Sequence, residues 1–176
     1  MENLIKQAKA GDPDAFTSLM QSHMQAMYKT ARAILNNEDD CADAISETIL
    51  ICWQKLPQLK VNAFFKTWMI RILINECNDI IRTNRNLTFL EEVPEPEAEA
   101  AEMARVQRNL EFQEALNTLH EKYRLIIVLY YVDGLKVKEI GQLLKMEEST
   151  VRTRLARGRK LLAEYYDPQE NRRKLV

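Results

Sequence analysis

Four glycines and five prolines in 176 residues leave this chain short of turn formers. A sheet protein reverses direction roughly every ten residues and places Gly, Pro, Asn or Asp at those points. Here the apolar residues recur instead at helical spacing. Phe16, Leu19, Met20, Met27, Ala31, Ile34 and Leu35 follow an Asp12-Pro13 start, where Asp can cap a helix and Pro can occupy its first turn without losing a hydrogen bond. Asn36-Asn37 breaks the run. Ile45, Ile49, Cys52, Trp53 and Leu56 mark a second stretch, begun near Asp39 and Asp40 and closed by Pro57. Asn62 stands where it can cap a third, which runs to about Arg82. That stretch is apolar over most of its circumference, through Phe65, Trp68, Met69, Ile72, Leu73, Cys77, Ile80 and Ile81. Its one polar stripe is Arg71, Asn75, Asn78, Asp79 and Arg82. The expected fold is all-α, with a helical bundle in the first half.

Charge divides the chain further. The formal net charge is -1, so the total points to no partner. Residues 86–104, however, hold six acids (Glu91, Glu92, Glu95, Glu97, Glu99, Glu102) and no base. Residues 136–176 hold eleven bases against six acids. The Glu- and Pro-rich stretch around Val93-Pro94 cannot bury a core and reads as a flexible acidic linker. The expected division is a domain over 1–85, the linker over 86–106, a second domain over 107–168 and a basic tail over 169–176. In the second domain, Leu110, Phe112, Ala115, Leu116 and Leu119 share a face, and a buried helix over Tyr123 to Val132 ends at Asp133-Gly134. Glycine can take the left-handed conformation that closes a helix.

Several function classes fall away. Cys41, Cys52 and Cys77 are odd in number and form no CxxC pair, which suits free thiols in a reducing compartment. His23 and His120 stand alone on predicted helices, as surface or packing residues. No Gly-rich phosphate loop occurs. No catalytic constellation, metal, cofactor or small-molecule substrate is expected. No signal peptide opens the sequence, and no apolar run approaches the roughly 20 residues that span a bilayer. A cytoplasmic protein is expected.

The stretch from Leu135 to Leu155 fits a helix-turn-helix. Two helices, roughly 136–144 and 148–164, are separated only by Lys145, Met146 and Glu147. Ile140 and Leu144 give the first an apolar side, and Gly141 is small where the second must pass close. Met146 plugs the turn. Val151 and Leu155, four apart, dock the second helix. A recognition helix of this kind lays its N-terminal residues along base edges in the major groove. Arginine pairs bidentately with guanine or neutralises phosphate, and Glu148 can accept from cytosine. The candidate DNA contacts are Lys136, Lys138, Glu148, Ser149, Thr150, Arg152, Thr153, Arg154, Arg157 and Arg159.

This motif resembles the C-terminal domain (region 4) of extracytoplasmic-function sigma factors. The likeness covers Lys138-Glu139-Ile140-Gly141-Gln142-Leu143-Leu144 and Ser149 through Leu161, with Gly158 where the family usually has alanine. Ala115 to Leu119 and Tyr123-Arg124 also look like this domain. The first half is similar to region 2 of the same family at Asp40 through Thr48, at Phe65 through Asn75 and at Asp79 through Arg82. Family members usually carry Ala, Glu and Gln where this chain has Cys41, Ala42 and Ser46.

The resemblance implies a sigma subunit whose Asp40, Asp43 and Glu47 dock on the clamp of the largest subunit of core RNA polymerase. Acids at a helix start also meet the helix dipole favourably, which is the alternative for these three. It implies that the second domain holds the −35 element as duplex. The first domain would capture the −10 element as the strands separate, through Lys66, Arg71, Asn75, Asn78, Asp79 and Arg82. Helix capping or bundle hydrogen bonds are the alternative for Asn75 and Asp79, and a core role is favoured for Trp68. An unstacked base needs a pocket or a basic groove, and the loop Gln58–Phe64 is the candidate. An anti-sigma factor, which could be membrane-anchored, is the expected inhibitor. The competing reading is a stand-alone helix-turn-helix regulator binding a palindrome as a dimer. A third is a decoy that binds polymerase without activating it.

Overall fold

The computed structural model describes residues 1–87 and 112–166. The described residues form α-helices joined by short turns, with no strand among them. In order they are α1 (Glu2–Lys9), α2 (Pro13–Gln21), α3 (Met24–Ile34), α4 (Glu38–Lys55), α5 (Phe65–Leu87), α6 (residues 112–117), α7 (Glu121–Tyr131), α8 (Val137–Leu144) and α9 (Glu148–Tyr166). No helix among them is long and apolar enough to cross a membrane. Most of the acidic linker and the basic tail lie outside the described residues.

The start of α2 follows the sequence reading. Asp12 Oδ1 accepts from the backbone N–H groups of Asp14 and Ala15 at 3.0 Å each, and Pro13 takes the first position. Asn37 caps α4 in the same manner, accepting from Asp39 N at 2.7 Å and Asp40 N at 3.4 Å. The apolar run over 16–35 is not one helix, however. Ser22 Oγ donates to the Leu19 carbonyl at 2.7 Å, and the His23 ring, 3.0 Å from the same oxygen, is buried edge-on to Phe65. Side chains that compete for a backbone acceptor loosen a helix, and here they separate α2 from α3. His23 is therefore a packing residue.

Two further boundaries differ from expectation. Asn62 does not cap α5. It opens a 3-10 turn (Asn62–Phe64), and its side-chain oxygen accepts from Lys9 Nζ at 3.2 Å. The long helix runs past Arg82 to Leu87. Phe65, Met69, Leu73 and Cys77 are buried along it, while Trp68 packs against the same core partly buried. All three cysteines are free and buried; burial pushes the Cys52 and Cys77 thiols up to about 12.

In the second half, His120 caps α7 through Nδ1, and Ile126, Ile127, Val128 and Leu129 are all buried. The helix closes at Gly134, which takes φ +68°. That turn lets Asp133 N bond Val128 O at 3.1 Å and Leu135 N bond Leu129 O at 3.0 Å.

The two halves are in contact. Helix α3 lies along α7, and Asp133, only 4% exposed, sits at the seam. Its Oδ2 accepts from Thr30 Oγ1 at 2.8 Å. Lys66 Nζ lies 3.7 Å from Oδ1 and donates to the Asp133 carbonyl. Oδ1 itself has no hydrogen bond among the described residues. Burial raises the Asp133 carboxyl, and Thr30 and Lys66 oppose the shift.

Candidate nucleic-acid interface

The second half presents the helix-turn-helix. Helix α8 opens with Glu139 Oε2 accepting from Lys136 N at 2.7 Å. It closes on Lys145 in the left-handed conformation, φ 53°, with Met146 N bonding Gly141 O at 2.8 Å. A Cβ at Gly141 would stand 2.8 Å from the Met146 carbonyl oxygen. It is thus the turn's own backbone that demands glycine at 141, more than the body of α9. Val151 and Leu155 are buried beside Ile140, and each such side chain contributes about 1.5–3 kcal/mol through its burial. Leu144 and Met146 pack against this core partly buried.

With Val151 and Leu155 inward, the 3.6-residue period turns Ser149, Thr153 and Arg157 outward and sets Arg152 and Arg159 along one flank, and all five are exposed. Arg152 pairs with Glu148 one turn earlier at 2.9 Å. Thr153 Oγ1 donates to Ser149 O at 2.9 Å, which leaves its oxygen free to accept. Lys136 and Lys138 are exposed at the start of α8. Thr150 and Arg154 depart from the sequence reading. They lie on the flank of α9, half-buried, and Arg154 turns back to donate to Met146 Sδ at 3.4 Å. Lys160, exposed on the outward side, was missed although the same period locates it.

In the first half, α4 directs Asp43 and Glu47 to solvent together with Ala42 and Ser46. Asp40 is half-buried in the first turn, and its Oδ2 accepts from Asn84 Nδ2 on α5 at 3.1 Å. The three acids therefore do not share one environment. Cys41 points into the bundle, so its difference from the family's alanine concerns packing, and burial raises its thiol.

Helix α5 carries the polar stripe as read. Arg71, Asn75, Asn78, Asp79 and Arg82 are exposed, with Arg82 and Asp79 paired at 3.1 Å. Lys66 is not part of it. The helical period places it on the other side of α5, where it meets Asp133. Asn78 and Arg154 both line a cleft of about 300 Å³ between the halves. The loop before α5 exposes Val61 and Phe64.

Comparison with known proteins follows the same division. The family model described as Sigma-70 region 2 matches residues 19–87, and that described as Sigma-70, region 4 matches residues 109–162. The ECF RNA polymerase sigma factor SigW of Bacillus subtilis is 29% identical over 177 residues, covering 90% of this chain and 92% of SigW. The RNA polymerase sigma factor CnrH of Cupriavidus metallidurans is 27% identical over 183 residues, covering 93% of each. Among solved structures, CnrH in complex with the cytosolic domain of CnrY shares the fold with a TM-score of 0.67, at 24% identity over 96% of this chain and 97% of that one. RpoE of Bartonella quintana, in complex with the anti-sigma factor NepR, shares it with a TM-score of 0.66, at 22% identity over 85% of this chain and 94% of that one.

Proposed function

This chain belongs to the sigma-70 family as a sigma factor of the extracytoplasmic-function type, and from that premise we propose how its surfaces divide the work of transcription initiation. The outward face of α9 reads the −35 element in the major groove, with Arg152 and Ser149 nearest the bases and Arg157, Arg159, Lys136 and Lys138 on phosphates. The stripe on α5 and the loop Gln58–Phe64 take the −10 element as it opens. The exposed Asp43 and Glu47 on α4 meet the polymerase clamp. The domains run over 1–85 and 107–168, tethered by 86–106. RNA synthesis is the polymerase's chemistry, so the chain is not an enzyme, and it works in the cytoplasm. An anti-sigma partner restrains it, as NepR's association with the similarly folded RpoE supports.

One observation carries this reading. A cluster of basic residues is exposed on a helix whose docking pair, Val151 and Leu155, is buried, in a chain matched by both sigma regions in order. A stand-alone dimeric regulator would not require the region 2 match. Scale adds a condition. The two promoter elements are centred roughly 25 base pairs apart, about 85 Å at about 3.4 Å per pair. A folded chain of this size has a radius of gyration of about 16 Å. Halves that touch through α3 and α7 cannot span that distance, so promoter binding separates them.

The test is run-off transcription from a promoter library with purified core polymerase. Transcripts should appear only with the chain present and depend on paired −35 and −10 sequences. Specific binding to an inverted repeat without polymerase, and no transcripts, would sink the proposal.

A further inference from the structure

Among the described residues, the hydrogen bonds that reach the loop Gln58–Phe64 from a distant element come from Lys9. Lys9, in the last turn of α1, donates from Nζ to Leu59 O at 2.6 Å and to Asn62 Oδ1 at 3.2 Å, fifty and fifty-three positions along the chain. Its local backbone bonds run from Leu59 N to Leu56 O and from Phe64 N to Val61 O. Lys9 is itself held, because α1 buries Ile5 and Ala8 against the core. Between α1, the loop and the start of α5 lies a cleft of about 640 Å³. Lys9, Lys60 and Lys66 line it, with Glu2 as the one acid, and His23 and Phe65 form part of its wall. Helix α1 precedes residue 19, where the region 2 match begins.

We propose that Lys9 is a positioning residue for −10 recognition, fixing the conformation of the loop that receives an unstacked base. The inference rests on the reading of that loop given above. An ammonium bonded to a carbonyl and an amide oxygen makes two charge-assisted hydrogen bonds that set both ends of Leu59–Asn62 at once. With the ammonium so committed, Lys9 acts through the loop and not as a phosphate contact. A loop held in one geometry discriminates among bases; a loose one accepts them with little preference, because the ordering must then be supplied on binding.

The experiment uses the full chain in holoenzyme and measures initiation on promoters carrying each of the four bases at each −10 position. Core affinity, thermal melting and salt dependence are recorded beside it. The variants are Lys9→Met, Lys9→Arg and the loop double variant Val61→Ala/Phe64→Ala. Lys9→Met should reduce base preference at one −10 position at least fivefold, with core affinity and melting close to the parent, and Lys9→Arg should retain most of the preference. If Lys9→Met keeps the parental profile while the loop variant loses it, the role of Lys9 is overturned and the loop reading stands. If both keep the profile, the loop reading fails and this inference with it. A uniform loss on all sequences with a shallower salt dependence would make Lys9 a phosphate contact. A loss shared with core affinity and melting would make it structural. Either result overturns the positioning role.

Discussion

Gly158 has a reason that a sequence pattern does not display. A Cβ there would stand 2.9 Å from Ile127 Cγ1 and 3.1 Å from its Cδ1. Alanine would gain about 1 kcal/mol of helix propensity but overpack the α7–α9 contact, which typically costs 1–3 kcal/mol, or about 2 in a seam this tight. Gly158→Ala is therefore expected to lower stability by about 1 kcal/mol, read as a lower urea midpoint at unchanged slope. Arg152 behaves oppositely. Its pair with Glu148 is exposed and contributes little to stability, about 0.5 kcal/mol at most. Arg152→Ala should leave the melting temperature and core association unchanged while weakening −35 binding by about 1–3 kcal/mol, measured by holoenzyme binding to −35 mutant promoters.

At the scale of elements, α4 separates two jobs along one helix. Its inward side packs Cys41, Ala44, Ile45, Thr48 and Cys52, and Thr48 Oγ1 is satisfied by Ala44 O at 2.7 Å. Its outward side carries Asp43 and Glu47. Glu38, Asp39 and the half-buried Asp40 sit in the first turn, where acids meet the helix dipole. Reversing charge at Asp43 and Glu47 together should thus reduce affinity for core polymerase at least tenfold with little change in melting. Asp40→Ala should lower stability by roughly 0.5–1 kcal/mol as its dipole interaction is lost. Competition binding to labelled core, alongside thermal melting, distinguishes the two.

The whole molecule turns on the seam between α3 and α7. The folded-state value of Asp133 is raised, so the folded protein keeps a proton through a pH window in which the unfolded chain has released it. Between the ordinary carboxylate value and that raised value, the contribution of Asp133 to stability falls as pH rises, and it levels off above. Asp133→Asn keeps an acceptor for Thr30 and removes the buried charge, leaving Lys66, with its side chain 35% exposed, to solvent. The variant should melt at or above the parent at neutral pH, and the difference should vanish on acidification through the window. A parent-minus-variant melting difference that does not change with pH would refute this.

Much of the architecture was legible without coordinates, because local rules decide it. Asp12-Pro13, Asn37 and Gly134 mark helix ends through their own hydrogen bonding or their backbone freedom, and apolar spacing located the cores of α4, α5, α7 and the helix-turn-helix. The break at Ser22–His23 was not legible, since a buried histidine and a hydroxyl overrule a continuous apolar pattern only once Phe65 has packed beside them. The outward Ser149, Thr153 and Arg157 of α9 followed from the period that buries Val151 and Leu155. The same arithmetic sets Thr150 and Arg154 no closer to the buried pair than Arg152, so their partial burial comes from what packs on that side, Met146 in the case of Arg154. What only the tertiary structure decided are the contacts between distant residues: Lys9 on the α4–α5 loop, Asn84 on Asp40, and Lys66 with Thr30 on Asp133. Such pairings depend on how packed faces bring far-apart positions together, and no local periodicity records them.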